Sequence, residues 1–172
     1  MMGVFQEHGP FVVNDGTDYL IENSWSWNKE ANMLYIEMPG GVGFSTCDED
    51  AGECVFTDEI TSEDNIVALV NWFKKYEDFA KHDLFVSGES YAGVYVPYVS
   101  KGMLDYNDAV VDPTAFKFNL KGFIVGNGVT NWKYDCDNAL VQMGFWHGLY
   151  SEDLYDRINA DKCDYSYMEF GE

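Results

Sequence analysis

Basic residues are scarce in this chain. Against 30 aspartates and glutamates it has 10 lysines and arginines, a formal net charge of −20. A field of that sign repels nucleic acid and anionic membranes, so neither is expected as a partner. It suits an acidic compartment, where protonation neutralises part of it, and it equally suits plain solubility. No apolar run approaches the roughly 20 residues that span a bilayer. Met1 to Glu7 have neither the basic stretch nor the long apolar core of a signal peptide. There is no Asn-x-Ser/Thr sequon, internal repeat or low-complexity segment. Cysteine is limited to four residues and histidine to three. No Cys-x-x-Cys and no nearby histidine pair occurs, which argues against zinc. Cys47 and Cys54 bracket the acidic turn Asp48-Glu49-Asp50-Ala51-Gly52-Glu53, a spacing suited to a local disulfide in an oxidising compartment. Cys136 and Cys163 are left with each other, or with cysteines outside this chain, as partners.

What the chain does have is apolar and aromatic. Its 172 residues, 47% hydrophobic and 17% aromatic, suffice for one domain with a sizeable core. Three segments read as strands. Asn32 to Glu37 is closed by Pro39-Gly40-Gly41, Asp83 to Ser87 follows, and Leu120 to Val125 is closed by Gly126-Asn127-Gly128. Between the first two, Ile66, Leu69, Val70, Phe73 and Tyr76 or Glu77 fall on a helical stripe. Thr61 and Asp64 have the spacing of a capping box. Between the second and third, a helix is expected over roughly Tyr91 to Tyr106, with a kink at Pro97. This alternation predicts crossovers and a parallel sheet, with functional residues gathered at the carboxyl ends of the strands. From about Trp132 the pattern turns helical, over Asp137 to Asp161 with a break at Tyr150-Ser151-Glu152-Asp153.

One run carries the chemistry: Phe85-Val86-Ser87-Gly88-Glu89-Ser90-Tyr91-Ala92-Gly93. A short apolar strand ends abruptly in Gly-x-Ser flanked by small residues. That is the pattern of a nucleophile elbow, a strained strand-to-helix turn that lifts a serine hydroxyl clear of the sheet. Ala92 stands where the general motif has its second glycine. An ordinary glycine-rich loop is the competing reading. A serine hydroxyl needs a base and a group to orient that base. In hydrolases built on this elbow both follow the serine, acid first and histidine second. His8 and His82 precede Ser90, and His147 sits amid a helical segment, so each reads as a surface or packing residue.

Several longer motifs answer the question of family. Gly88-Glu89-Ser90-Tyr91-Ala92-Gly93 with Tyr95-Val96-Pro97 resembles the serine carboxypeptidase family. So does Leu34 to Ser45, although Met38 and Gly40 replace the glutamine and valine usual there. Glu7-His8-Gly9-Pro10-Phe11, Ser26 to Asn32, Asn119 to Gly122 and Gly126-Asn127-Gly128 match in the same order. The resemblance implies an α/β-hydrolase fold, present in part as a parallel-rich sheet flanked by helices. Residues 1–131 would be the partial core and 132–172 the beginning of a helical cap insertion.

The roles implied by the resemblance follow residue by residue. Ser90 would be the acylating nucleophile, and Tyr91 would lend its backbone N–H to the oxyanion hole. Glu89 and Glu7 would hold the C-terminal carboxylate of a peptide substrate. Two carboxyls held together cannot both ionise cheaply. One that keeps its proton can donate to the substrate carboxylate, so peptide cleavage is expected to favour acid. No cofactor is called for. The family's Asn-Gly-Gly-Pro-Gly segment, catalytic aspartate and histidine find no match, so the chain is expected to be an internal fragment of a longer protein. A catalytically incomplete chain or pseudoenzyme, and an acyltransferase or esterase on the same fold, are the competing functions. The resemblance places the protein in the secretory pathway, the lysosome or vacuole, or outside the cell.

Overall fold

The computed structural model describes residues 2–13, 16, 18–52 and 54–161. The chain divides into two compact units, Met1–Asn65 and Ile66–Glu172. The first unit opens with a π-helical turn, Gly3–Glu7, followed by a short antiparallel pair, β1 (Phe11–Val12) with β2 (Ile21–Glu22). Asn23 holds this corner together: its side-chain amide donates to the carbonyls of Glu7 (3.2 Å) and Gly9 (2.9 Å). A disulfide joins Cys47 to Cys54 across the acidic turn, with Cα atoms 5.5 Å apart, as the spacing led us to expect. The other pairing considered, Cys136 with Cys163, involves a residue outside those described.

The strand expected at Asn32 to Glu37 does not form. Residues 32–38 join no ladder, and a strand exists only with a neighbour to bond its backbone. The run leads instead into a tight loop. The Glu37 carboxylate accepts from the Phe44 backbone N–H at 2.7 Å, and the Ser45 hydroxyl donates to the Glu37 carbonyl at 2.5 Å. The Phe44 N–H holds the Glu37 carboxyl below the usual glutamate range. Pro39-Gly40-Gly41 therefore sits inside this loop and not at the end of a strand.

The second unit is built on one strand pair. Helix α1 (Asp58–Lys75) leads into it, beginning earlier than the capping-box reading allows. Thr57, not Thr61, caps it: its hydroxyl accepts from the Ile60 N–H at 3.3 Å and its carbonyl from the Thr61 N–H at 2.9 Å. Asp58 and Glu59 in the first turn and Lys74 and Lys75 in the last suit the helix dipole, which favours that early start. Strand β3 (Leu84–Glu89), helix α2 (Ala92–Ala109) and strand β4 (Leu120–Gly126) follow, and β3 and β4 run parallel as expected. Pro97 lies inside α2. Leu84 pairs with Leu120 and Phe85 with Gly122, so Lys121 is bulged out. From there the register is regular to Glu89 and Gly126. Two helices complete the unit, α3 (Asn138–Trp146) and α4 (Glu152–Ala160), and Ser151 caps α4 at the expected break.

The core lies on the helical side of this pair. Leu69, Val70 and Phe73 of α1 meet Val99 and Met103 of α2 and Phe118, with Leu84 and Val86 of β3 packed against them. Phe118 belongs to no regular element, yet it is buried. Asn107 explains this: its side chain donates to the Phe118 carbonyl and accepts from the Phe118 N–H, both at 2.8 Å. Phe118 then lies edge-on to Phe73, 5.9 Å between centroids, and to Phe116 at 4.9 Å. One residue on, the Asn119 side-chain amide donates to the carbonyl of His82 (3.1 Å) and the carboxylate of Asp83 (3.0 Å), while the Asn119 backbone carbonyl accepts from the Leu84 N–H (3.0 Å). The two asparagines thus lock the start of β4 to α2 and to the start of β3. That lock sets the register that the carboxyl ends inherit.

Two stability predictions follow from this core. Met103 is only 1% exposed. Met103→Ala is expected to lower unfolding free energy by about 2–5 kcal/mol in a denaturant titration, the usual cost of a large buried truncation. Ser100 on the same helix is buried, and its hydroxyl meets no hydrogen-bond partner among the described residues. Ser100→Ala removes that hydroxyl, so it is expected to leave the melting temperature unchanged or raise it.

Candidate active site at the end of β3

Strand β3 ends at Glu89, and Ser90 turns the chain into α2. Ser90 has φ +61°, in the left-handed region that a side-chain-bearing residue rarely adopts. The turn is closed from both sides. The Ser90 N–H donates to the Gly126 carbonyl at 3.1 Å. The Ser90 carbonyl accepts from the N–H of Gly93 at 3.0 Å and of Val129 at 2.9 Å. Ser90 and Glu89 are exposed, and Tyr91 is half-buried with a helical backbone at the mouth of α2. The serine is thus lifted out of the sheet on a strained, fully bonded turn, as the motif led us to expect.

The flanking small residues are there because space runs out. A Cβ on Gly88 would lie 2.4 Å from the Ala92 methyl, and one on Gly93 would lie 2.3 Å from the Val129 carbonyl oxygen. The first distance explains why alanine serves at position 92: Gly88 leaves room for its methyl. Gly128 is constrained in the same way, with Val125 at 2.2 Å and the Gly93 Cα at 3.1 Å from its would-be Cβ. The strand-end motif Gly126-Asn127-Gly128 therefore packs directly on the elbow, and Asn127 is itself left-handed at φ +42°.

Beyond that motif lies a loop that sequence reasoning missed. One carboxylate oxygen of Asp135 accepts three hydrogen bonds: from the Thr130 N–H (2.7 Å), the Asn131 N–H (2.8 Å) and the Thr130 hydroxyl (2.9 Å). These donors, the Thr130 N–H foremost, hold the Asp135 carboxyl below the ordinary aspartate range. The stabilisation is complete above the ordinary aspartate range and is lost only as pH falls through this lowered value. The Trp132 ring, just after this loop, lies tilted 6.1 Å from that of Tyr91, and the Tyr95 ring lies 4.8 Å from Tyr91. The bonds are local, from donors four and five residues before Asp135, but an exposed acid at that spacing is too common to single out in a sequence.

The remaining site residues fall as follows. Glu7 belongs to the first unit, at the end of the π-helical turn, with its carboxylate 42% exposed and 3.9 Å from the His8 ring. The His8 ring stacks on Trp27 (4.6 Å) and Tyr35 (5.5 Å), and its Nδ1 is 2.9 Å from the Tyr35 hydroxyl. In the second unit, His82 lies edge-on to Phe79 at 5.6 Å. His147, just after α3, has its Nδ1 2.8 Å from the Met143 carbonyl in that helix, which makes it the donor. Each histidine thus has a local packing or bonding role, in line with the sequence reading. Among the described residues no group of three histidines, cysteines or acids is placed to hold a metal.

Comparison with known proteins agrees with this geometry. The family model for serine carboxypeptidase matches residues 1–170. Serine carboxypeptidase-like 35 of Arabidopsis thaliana is 41% identical over 158 residues, covering 92% of this chain and 32% of the relative. Serine carboxypeptidase-like 46 of the same plant is also 41% identical, covering 96% of this chain and 34% of the relative. The chain therefore spans about a third of the length of the curated relatives it matches. Among solved structures, a prohormone-processing carboxypeptidase from Saccharomyces cerevisiae superimposes with a TM-score of 0.70 at 25% identity, over 95% of this chain and 37% of that one. The parallel strands and their helices are thus part of an α/β-hydrolase fold. The chain belongs to the serine carboxypeptidase family.

Proposed function

We propose that this chain is the nucleophile-bearing part of a serine-type carboxypeptidase, an exopeptidase that removes C-terminal residues through an acyl-enzyme. The observation that carries the reading is the strained, exposed Ser90 at the end of β3, bonded on one side to Gly126 and on the other to Val129. Residues 1–131 form the partial hydrolase core and 132–172 begin a helical insertion. In the reaction the Ser90 hydroxyl adds to the carbonyl of the last peptide bond. A histidine base takes the hydroxyl proton, and the backbone N–H of Tyr91 shares in stabilising the oxyanion. The amide C–N bond breaks, the proton passes to the leaving amine, and the terminal amino acid departs. Water then hydrolyses the Ser90 ester. On this reading the histidine and the acid that orients it lie in the part of its relatives' length that this chain, covering about a third of it, does not span.

Glu89 directly precedes Ser90, and Glu7 matches the second glutamate of the family's carboxylate site. Glu89 is assigned to the substrate's terminal carboxylate by its place beside the serine, and Glu7 by its match to the family's motif alone. The substrate is thus a peptide or protein C-terminus. The disulfide between Cys47 and Cys54 fits a secretory, lysosomal or vacuolar, or extracellular location. No helix among the described residues is long and apolar enough to cross a membrane.

The test uses the full-length protein. A fluorophosphonate is expected to label Ser90, and Ser90→Ala is expected to lower kcat by about 10⁴-fold or more. Glu89→Ala is expected to raise KM for a blocked dipeptide with a free terminal carboxylate. Activity on the corresponding ester, which presents no terminal carboxylate, should hold. Adduct at a different serine, or an unchanged dipeptide KM in Glu89→Ala, contradicts the reading.

A further inference from the structure

The Ser90 carbonyl depends on the N–H of Val129, and Val129 belongs to a loop with no ladder of its own. The next two residues of that loop, Thr130 and Asn131, give both backbone N–H groups and one hydroxyl to a single oxygen of Asp135. Van der Waals contact repeats the connection. Gly93 approaches Val129 so closely that no side chain fits between them, and the Trp132 ring lies against that of Tyr91. A carboxylate thus anchors the loop on one side, and the loop anchors the strained turn on the other.

We propose that Asp135 is a positioning residue for Ser90. Its carboxylate fixes the Val129–Asn131 backbone, and that backbone fixes the peptide on which the Ser90 hydroxyl is mounted. This rests on Ser90 being the nucleophile. Asp135 itself touches no reacting atom. Its effect is geometric: a serine displaced by a fraction of an ångström attacks less often, while substrate binding is untouched.

Asp112 supplies a matched control. It accepts the Thr114 N–H and hydroxyl, each at 2.8 Å, in an exposed turn of the same unit that, among the described residues, makes no hydrogen bond to Ser90, Gly93 or Val129. Asp112→Asn therefore costs the same kind of bonds without reaching the elbow. In the full-length protein, Asp135→Asn is expected to slow fluorophosphonate labelling of Ser90 and to lower kcat by roughly tenfold with KM unchanged. It should also raise hydrogen exchange at the amides of Val129 and Gly93. Asp112→Asn should do neither. Labelling within twofold of wild type for Asp135→Asn, or no slower than for Asp112→Asn, overturns the proposal. Should Asp135→Asn fail to fold, Thr130→Val removes one of the three donors, and an unchanged labelling rate there overturns it equally. An unreactive wild type defeats the hydrolase reading instead. Exchange at Val129 and Gly93 then decides the positioning claim alone, with unchanged protection counting against it.

Discussion

A left-handed backbone at a serine is the constraint around which the second unit is arranged. Such a conformation costs a non-glycine residue about 1–2 kcal/mol, and it persists only where neighbours leave no alternative. At Ser90 they leave none. Its N–H is tied to the end of β4, its carbonyl to α2 and to the loop after β4, and a side chain at Gly88 or Gly93 would clash with Ala92 or Val129. The return for this strain is placement: the hydroxyl stands clear of the sheet at the mouth of a helix.

The support for that turn can be traced back into the core. The elbow needs β4 to end level with β3, because Gly126 must meet Ser90. That level is set at the far end of the strands by Asn107 and Asn119, which fix Phe118 and the first pair of the ladder. Phe118 in turn is held by the aromatic packing around Phe73 and Met103. Packing, register and the geometry of the Ser90 turn are thus successive consequences of one another. Beyond the carboxyl ends, Asp135 extends the chain of support by one loop.

Much of this was legible in the residues. The apolar run before Gly88, the small residues at 88, 92 and 93 and the helical stripe of Leu69, Val70 and Phe73 each report a local constraint, and local constraints leave local patterns. The disulfide between Cys47 and Cys54 was legible for the same reason. The misreadings came where the outcome depends on a distant partner or on competition between neighbours. Asn32 to Glu37 has the short apolar run of a strand but no ladder to join, and the Glu37 carboxylate bonds Phe44 instead. Thr61 has a capping box's spacing, yet Thr57 with two acids after it caps the helix first. Asp135 was missed although its donors lie only four and five residues before it, because an exposed acid at that spacing carries no distinctive pattern. The family was legible because several long motifs recur in order. Glu7 was identified through that resemblance alone, as a lone acid near a turn has no signature of its own.

The strain at Ser90 is most directly tested by comparing the unfolding free energies of Ser90→Gly and Ser90→Ala in the full-length protein. Both remove the hydroxyl, but only glycine relieves the left-handed backbone. The account predicts that Ser90→Gly is the more stable of the two, by about 1 kcal/mol. If Ser90→Ala is equally or more stable, position 90 is not strained, and the turn does not hold its serine in the way described.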